Sequence, residues 1–420
     1  MGGAERVDAS FTCCVVVTLR LSGRAHSAPL QSQLSGATPP SAAQQQEWNA
    51  FVHGLEDRLA PLIAPPRVNI SNMTPVTRSS TAAVSHRTTD TSAITTRTTI
   101  GSTTNIVEEE EEELTEVYTC GGFTVRMNTS SGAISSLRNT QTGRTLAIPG
   151  RMNLGTFSYM TYSAADFALY GKEYVEGGDF GKTGMTSANV TGGAWQPLSN
   201  ATKLFFQPVG GAGTNSGGGG NSGSGREGFA GCHFVAELTM PAVTTLKYGA
   251  PKHVTLNITI PGADGAAADI AVLWHQKTAT RIAEAMWLSF VPAAATPTNA
   301  TWTLDVMGRE LDRARHVANG GTRFKHAVQD GGATLHDGAL MPLQIRFLDT
   351  AILAPGDIDH LLRFCRGSLA PGGITDACAD ADKMNVVAGG VHANLYNNLW
   401  GTAFPQWYDD DGVACFSVYG

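Results

Sequence analysis

Residues 123–137 read Phe-Thr-Val-Arg-Met-Asn-Thr-Ser-Ser-Gly-Ala-Ile-Ser-Ser-Leu, and Phe123, Val125 and Met127 alternate with polar residues. Such alternation places every second side chain on the same face of a β-strand. Thr129–Gly132 supplies a turn, and the apolar pattern resumes after it. The pattern therefore predicts an antiparallel β-meander with one buried face.

Strand-like segments continue to the C-terminus, and convincing helical periodicity is missing from residues 117–420. Segments rich in β-branched, aromatic and other apolar residues, bounded by turn residues, occur at Leu154–Tyr162, Lys203–Gln207, Cys232–Met240, His253–Ile260, Ile270–Trp274, Ala285–Phe290, Thr301–Val306, Leu343–Leu348, Val386–Leu399 and Ala414–Tyr419. About a dozen strands without alternating helices predict antiparallel sheets that pack face to face. We therefore expect an all-β fold, a large antiparallel β-supersandwich, over residues 117–420.

The N-terminal part of the chain differs from the rest in composition. Residues 1–46 predict a disordered or poor signal-like segment, because their apolar run is flanked by charged residues. Residues 47–64 predict a short amphipathic helix, with an apolar stripe at three- and four-residue steps. Residues 65–116 predict a linker, since seventeen of the 31 residues in 74–104 are Ser or Thr and the run Glu108–Glu113 follows.

Charge and the distribution of apolar residues argue against a nucleic-acid partner and against a membrane-spanning helix. The chain has 420 residues, 29 basic and 36 acidic, and a net charge of −7. Six of the acids form Glu108–Glu113, so the rest of the chain is close to neutral. A nucleic-acid-binding protein needs a basic stripe, and a membrane-spanning helix needs about 18 consecutive apolar residues. The sequence shows neither, and we expect no nucleic-acid partner and no membrane span.

The cysteines do not predict a metal site. Seven cysteines are present, and none forms a Cys-x-x-Cys pair. A zinc site of the usual spacing is therefore not expected. Cys365 and Cys378 flank a short loop, and they either form a disulfide or remain separate buried thiols.

Asparagine sequons suggest a cellular location. Seven asparagines begin an Asn-x-Ser/Thr sequon, namely Asn69, Asn72, Asn128, Asn189, Asn200, Asn257 and Asn299. This number favours a glycoprotein that passes through the secretory pathway or is extracellular. Each individual site remains a hypothesis at this point.

The segment richest in polar and aromatic residues spans 389–411. It contains the candidate substrate-binding residues His392, Asn394, Asn397, Asn398, Trp400, Trp407 and Asp409. Amide side chains donate to and accept from sugar hydroxyls, and Trp and Tyr rings stack on a pyranose. On a strand, His392, Asn394 and Tyr396 would share one face, and Asn397 would lie on the other. The alternative interpretation is a core strand with amides that cap a turn.

Other candidate residues are fewer. Lys277, Arg281 and Glu284 lie within eight residues and could clamp a hydroxyl-rich ligand or form surface ion pairs at a strand crossover. A free-standing enzyme on such a sandwich needs a His and a carboxylate that converge in the concave face, and the pair we can suggest is His392 with Asp409. No nucleophile elbow and no Ser/His/Asp arrangement is recognisable, so we assign no catalytic residue and no metal ligand.

Several motifs in combination resemble the large C-terminal β-sandwich of family-38-type, α-mannosidase-like glycoside hydrolases. They are Gly122-Phe-Thr-Val-Arg, Gly132-Ala-Ile-Ser-Ser-Leu, Thr142-Gly-Arg, Leu154-Gly-Thr-Phe-Ser-Tyr, Asp179-Phe-Gly-Lys and the segments Lys277–Phe290 and Asn394–Tyr408. The resemblance covers residues 47–64 and 117–420 and implies a galactose-mutarotase-like supersandwich. In complete members an N-terminal α/β barrel carries the catalytic Asp and, in characterised α-mannosidases, zinc. No such barrel is recognisable in this sequence.

The resemblance implies a non-catalytic accessory domain that contacts carbohydrate or a missing catalytic domain. A second hypothesis is a free-standing sugar epimerase, mutarotase-like enzyme or lyase on the same sandwich. A third is a structural interaction module. We expect no cofactor in this chain, because zinc would belong to the missing barrel.

Overall fold

A computed structural model describes residues 69–76, 114–149, 152–166, 189–209, 230–261, 266–293, 300–312, 325–338, 340–356, 389–398 and 409–420. Several sequence predictions lie outside these residues. They are the disordered segment 1–46, the helix 47–64, the Cys365/Cys378 alternative and the candidate binding residues Trp400 and Trp407.

The described chain is built almost entirely of strands. In chain order they are β1 (Thr74–Pro75), β2 (Tyr118–Cys120), β3 (Phe123–Met127), β4 (Ile134–Asn139), β5 (Thr145–Ala147), β6 (Thr156–Thr161), β7 (Gly193–Trp195), β8 (Lys203–Val209), β9 (Gly231–Thr239), β10 (His253–Ile260), β11 (Ala268–His275), β12 (Glu284–Phe290), β13 (Ala300–Val306), β14 (Arg309–Asp312), β15 (His326–Ala327), β16 (Ala333–Asp337), β17 (Leu343–Phe347), β18 (Ile352–Pro355), β19 (Val391–Asn397) and β20 (Gly412–Tyr419). Helical structure includes a short α1 (Ala242–Lys247) and a 3-10 turn at Ser199–Ala201.

The strands form three sheets. The ten-stranded sheet has the order β1-β8-β9-β10-β11-β20-β17-β16-β13-β14, the six-stranded sheet β15-β18-β19-β12-β6-β7, and the four-stranded sheet β2-β3-β4-β5. Every strand pair in the described residues is antiparallel. This topology confirms the prediction of an all-β protein with large antiparallel sheets.

The core lies on the inner face of the ten-stranded sheet. Its middle row crosses five strands through Phe234, Ile258, Ile270, Phe416 and Phe347, all buried. The six-stranded sheet packs against this row, and the ring centroids of Phe290 and Phe416 lie 5.1 Å apart. Period-two alternation explains the row, because apolar residues at every second position face the same side. Each such side chain contributes about 1.5–3 kcal/mol of hydrophobic stabilisation.

The predicted meander is the four-stranded sheet. The β3–β4 turn is held by the Asn128 side chain, whose Oδ1 accepts from the N–H groups of Ser130 (2.8 Å) and Ser131 (2.9 Å). Gly132 follows with φ of +70°, and a Cβ there would lie 2.3 Å from the Ala236 Cβ. Only glycine tolerates both the left-handed backbone and this contact with the ten-stranded sheet.

A disulfide ties the meander to the ten-stranded sheet. Cys120 of β2 is bonded to Cys232 of β9, with Cα atoms 5.4 Å apart. Beside it, the Tyr118 ring lies 4.6 Å from Phe206 and 5.2 Å from Phe234. The sequence did not predict this pairing, because 112 residues separate the two cysteines.

One part of the predicted linker is a strand. Residues 69–76 contain β1, whose Thr74 and Pro75 pair with Phe206 and Phe205 of β8 at the edge of the ten-stranded sheet. Composition did not reveal this strand, because Thr-rich sequence is equally typical of an edge strand and of a linker. The rest of residues 77–113 lies outside the described part of the chain.

Candidate functional site

The segment that the sequence marks as sugar-binding forms β19 of the six-stranded sheet. His392, Asn394 and Asn397 lie on this strand, and Asn398 follows it. Asp409 is exposed and precedes β20 of the ten-stranded sheet. The described candidates are therefore divided between two sheets, and His392 and Asp409 do not lie on the same sheet.

The expected arrangement of faces on β19 is wrong at Tyr396. Trp287 pairs with Asn394 while Met286 pairs with Tyr396, so Leu395 is an extra residue on β19. A β-bulge of this kind shifts the alternation of side chains by one position. Asn397 consequently joins Asn394, and its Nδ2 donates to Asn394 Oδ1 over 2.5 Å.

His392 lies in a closed polar contact. Its side chain is fully buried, with Nδ1 2.8 Å from Ser289 Oγ and Nε2 2.6 Å from the Gly356 carbonyl oxygen. Since a carbonyl only accepts, Nε2 carries the proton and Nδ1 accepts from the serine hydroxyl. Burial lowers the pKa of His392 to about 4, against the opposing effect of backbone hydrogen bonds. The ring is therefore neutral at pH 7 and offers no nitrogen to a ligand in this arrangement.

The amides of β19 hold the neighbouring backbone. Asn398 Nδ2 donates to the Ile282 carbonyl (2.7 Å), and its Oδ1 accepts from the Glu284 N–H (2.7 Å). Asn394 Nδ2 lies 3.3 Å from the Met286 carbonyl oxygen. These contacts are those of a core strand with capping amides, the alternative interpretation of this segment. A role in binding sugar stays a prediction for these residues.

The second charged segment forms a buried ion pair. Lys277 Nζ lies 2.7 Å from Glu284 Oε1, and both side chains are 0% exposed. Thr280 Oγ1 donates to the same oxygen over 2.9 Å, and the Tyr159 hydroxyl lies 2.5 Å from Glu284 Oε2. The ammonium group also lies 4.8 Å from the centre of the Tyr396 ring.

This pair is neither a surface ion pair nor a clamp open to solvent. Burial raises the pKa of Glu284, and the charge and hydrogen bond of Lys277 oppose that rise. Burial also raises the pKa of Tyr159 well above its usual value. The group fixes the connection between β11 and β12, because Lys277 and Glu284 stand near its two ends. We interpret it as a buried polar contact that holds this crossover in place.

The outer face of the ten-stranded sheet carries a different set of polar side chains. The strand register aligns one residue from each of six strands in a row, which we call the polar row: Gln207, His233, Thr259, Asp269, Ser417 and Arg346. Directly opposite residues in antiparallel strands have Cβ atoms about 4.5–5.5 Å apart. Two contacts tie members of the row to neighbours, namely Ser417 Oγ to Asp269 Oδ1 (2.5 Å) and His233 Nε2 to Asn257 Oδ1 (2.5 Å).

A cleft opens at the Arg346 end of this row. It has a volume of about 510 Å³, and its lining includes Asp305, Asp330, Gln344, Arg346 and Tyr419. Tyr419 and Gln344 are directly opposite each other on β20 and β17. We call this the Arg346 cleft.

Two side chains of the Arg346 cleft are available to a ligand. Within the described residues, the Arg346 guanidinium and the Tyr419 hydroxyl have no hydrogen-bond or ion-pair partner. Both side chains are half-buried, so each has lost part of its hydration without gaining a partner. Asp305 differs, because its two oxygens accept from the N–H groups of Gly308 (3.0 Å) and Gly331 (3.0 Å).

Sequence reasoning missed Arg346 and Tyr419, although both lie in predicted strands. The signal was present in β17, which reads Leu343-Gln-Ile-Arg-Phe347. Alternation puts Gln344 and Arg346 on the face opposite the buried residues. Because Arg346 alternates with buried residues in an inner strand, it indicates that the other face of the sheet is polar.

The described residues contain no group of three or more His, Cys, Asp or Glu side chains that could hold a metal ion. No helix in the same part of the chain is both long and apolar enough to cross a membrane.

Comparisons with known proteins give no family assignment. No protein-family profile matches the chain, and no curated protein matches it. A search of solved structures finds a galactose mutarotase-like protein from Clostridium acetobutylicum, with a TM-score of 0.38 and 8% identity over 74% of this chain and 95% of that one. It also finds a putative aldose 1-epimerase from Escherichia coli, with a TM-score of 0.29 and 8% identity over 73% and 98%. A galactose mutarotase-like protein from Lactobacillus casei gives a TM-score of 0.29 and 10% identity over 72% and 99%.

Two of these three structures are described as galactose mutarotase-like, which is also the description of the fold that the resemblance implies. Their TM-scores lie below 0.5, so the likeness assigns no activity to this chain. The search gives no support to the α-mannosidase-like parentage suggested by the sequence motifs, which stays a prediction.

Proposed function

We propose that this chain binds a carbohydrate in the Arg346 cleft, on the outer face of the ten-stranded sheet. The observation that carries the proposal is a pair of half-buried side chains at one end of the polar row, Arg346 and Tyr419, which have no hydrogen-bond or ion-pair partner among the described residues. Half-buried polar groups of this kind are stabilised when a ligand supplies the missing hydrogen bonds.

The chemistry of the cleft suits a sugar. The guanidinium of Arg346 offers several donors in a fixed fork, which can meet two neighbouring ring oxygens or a carboxylate. Gln344 lies directly opposite Tyr419 and donates to the Gly331 carbonyl oxygen through Nε2 (3.2 Å), and its amide oxygen is a further acceptor group in the lining. The volume of about 510 Å³ falls within the range of small-molecule sites, roughly 300–1,000 Å³.

Binding without bond cleavage is the activity that the cleft supports best. Proton-transfer chemistry on a sugar needs an acid and a base that both reach the ligand. Asp305 is committed to two backbone N–H groups, which leaves Asp330 as the available carboxylate among the named lining residues. The buried His392 has both ring nitrogens engaged. The proposal therefore keeps the accessory role, in which a separate catalytic domain of α-mannosidase type would break the bond.

The proposal includes passage through the secretory pathway. The Cys120–Cys232 disulfide supports it, because structural disulfides persist in oxidising compartments. The sequons support it independently of the cysteines.

The test is a glycan array followed by calorimetric titration of the best ligand. Arg346→Ala should weaken binding at least tenfold, since a hydrogen bond to a charged group contributes about 1.5–3 kcal/mol. Tyr419→Phe should weaken it less, because it removes one neutral hydroxyl. Arg309→Ala is the matched control, since Arg309 is an exposed arginine on β14 that does not line the cleft.

Three results would contradict the proposal. A silent array from correctly folded protein would favour a structural interaction module. Equal affinity of wild type and Arg346→Ala for the carbohydrate would show that the binding site lies outside the Arg346 cleft. Sugar mutarotation above the buffer rate, lost in Arg346→Ala, would establish the free-standing epimerase instead.

A further inference from the structure

The seven sequons are not equivalent in the folded chain. Asn72 and Asn200 are exposed, Asn257 is half-buried and Asn128 is 7% exposed. Asn69 is exposed, but its Oδ1 accepts from Ser71. Asn189 is exposed at the border of the described residues, and Asn299 lies outside them. An N-linked glycan needs the asparagine amide at the surface, so burial separates possible sites from impossible ones.

On the proposed passage through the secretory pathway, on which this inference rests, we infer that Asn72 and Asn200 carry N-linked glycans, whereas Asn128 and Asn257 do not. Asn72 lies in the turn before β1, and Asn200 lies in the 3-10 turn Ser199–Ala201. Neither side chain makes a hydrogen bond or an ion pair within the described residues. Both amides can therefore carry a bulky substituent without loss of an internal hydrogen bond.

Asn128 has the opposite environment. Its Oδ1 holds the turn between β3 and β4 through the N–H groups of Ser130 and Ser131. The residue is almost completely buried, and the turn stands next to the close contact between Gly132 and Ala236. A glycan on this amide would displace the turn from the ten-stranded sheet, so the folded protein carries none there.

Asn257 lies in the middle of β10, between β9 and β11. Its Oδ1 lies 2.5 Å from His233 Nε2, and its Cα partners are Val235 and Ala271. The side chain points to the outer face beside the polar row. A glycan there would replace the contact with His233 and cover neighbouring strands, so this sequon also stays unmodified.

The experiment is a site map of the secreted full chain. The chain is produced in cultured eukaryotic cells behind an added signal peptide, and its glycans are released by peptide-N-glycosidase in oxygen-18 water. Each glycosylated asparagine then becomes a labelled aspartate in the peptide mass spectrum. Label should appear at Asn72 and Asn200 and be absent from Asn128 and Asn257.

Substitutions give an independent reading by intact mass. Asn72→Gln and Asn200→Gln should each remove the mass of one glycan and leave the melting temperature unchanged. Asn128→Asp is the control, because it destroys the sequon but keeps an oxygen for the two turn N–H groups. It should leave the glycan mass unchanged.

The inference is overturned by three outcomes. The first is an unlabelled Asn72 or Asn200 in secreted protein. The second is label at Asn128 or Asn257 in protein whose Cys120–Cys232 disulfide has formed. The third is retention of the chain inside the cell without that disulfide. None of these outcomes depends on sugar binding, so a failure here is distinguishable from a failure of carbohydrate binding in the Arg346 cleft.

Discussion

Asp349 is a single carboxylate that makes the stability of the folded protein depend on pH. Its Oδ2 accepts from the Cys415 N–H over 2.8 Å. Burial raises the pKa of Asp349 to about 6, although this hydrogen bond opposes the rise. The folded state therefore holds the proton more tightly than the unfolded state. The protonated carboxyl of Asp349 therefore stabilises the folded state. This stabilisation is fully present below the ordinary aspartate pKa of 3.8 and is lost as the pH rises through about 6.

Asp349→Asn should therefore stabilise the protein at pH 7.5 and have almost no effect at pH 4. The amide oxygen still accepts from Cys415, and the cost of burying a charge disappears. Differential scanning calorimetry of both proteins at both pH values measures the effect. The exposed Asp409→Asn serves as the control for loss of one negative charge. An equal shift in melting temperature at the two pH values would contradict the explanation.

At the residue scale, the sequence showed which side chains are polar, but not whether they are buried. His392, Asn394 and Asn398 were recognised as polar residues in an aromatic segment, but their burial depends on strands distant in sequence. The bulge at Leu395 also had no local signal, because it exists only in the pairing with β12. The outward position of Arg346 was predictable from the alternation in β17, but its place in a cleft depends on Asp305, Asp330 and Tyr419, which are distant in sequence.

The crossover between β11 and β12 is an element whose position depends on buried charge. Lys277 and Glu284 form their ion pair at its two ends, and Asn398 holds its backbone at Ile282 and Glu284. At the start of the crossover, Asp411 accepts from the Gln276 N–H over 2.7 Å. The crossover is thus fixed by residues that adjoin β19 and β20 as well as by its own.

Lys277→Met should destabilise the protein by about 3–5 kcal/mol, because it leaves the Glu284 carboxylate buried without its cation. Glu284→Gln should also be destabilising. The double variant should lose less than the sum of the two single losses, because neither charge is then left alone. The free energies of unfolding in urea of the wild type, the two single variants and the double variant give the coupling energy between the two side chains. Additive losses would show that the two side chains act independently.

Long elements were more predictable than short ones. The strand expected at His253–Ile260 is β10 with the same bounds, because its alternation is regular and both ends carry turn residues. Short strands such as β7, β15 and β18 were missed. Each has two to four residues, and pairing with a neighbour rather than propensity makes it a strand.

At the scale of the whole molecule, the three sheets share one core, and the Cys120–Cys232 disulfide joins two of them. The four-stranded sheet has few strands of its own, and small sheets need a partner surface for stability. It packs on the ten-stranded sheet through the Gly132–Ala236 contact and the Cys120–Cys232 disulfide. The sequence predicted the face-to-face architecture from strand number alone. It could not predict the link, since seven cysteines allow many pairings.

Replacing both cysteines, as Cys120→Ala with Cys232→Ala, should lower the free energy of unfolding by roughly 2–4 kcal/mol. The bond closes a long loop, so its loss gives the unfolded chain more freedom. Chemical unfolding of wild type and double variant under non-reducing conditions measures the difference. The double substitution avoids a stray thiol, which a single substitution would leave. Unchanged stability would mean that packing alone holds the meander.

The position of β20 has a consequence for synthesis. This strand lies between β11 and β17, so it joins the two halves of the ten-stranded sheet. Translation makes both halves before it makes β20, and until then the edges of β11 and β17 stay unpaired. Open edges of this kind invite wrong strand pairing and aggregation. A nascent chain that pauses on the ribosome before Gly412 should therefore depend on chaperones more than any later state of the molecule.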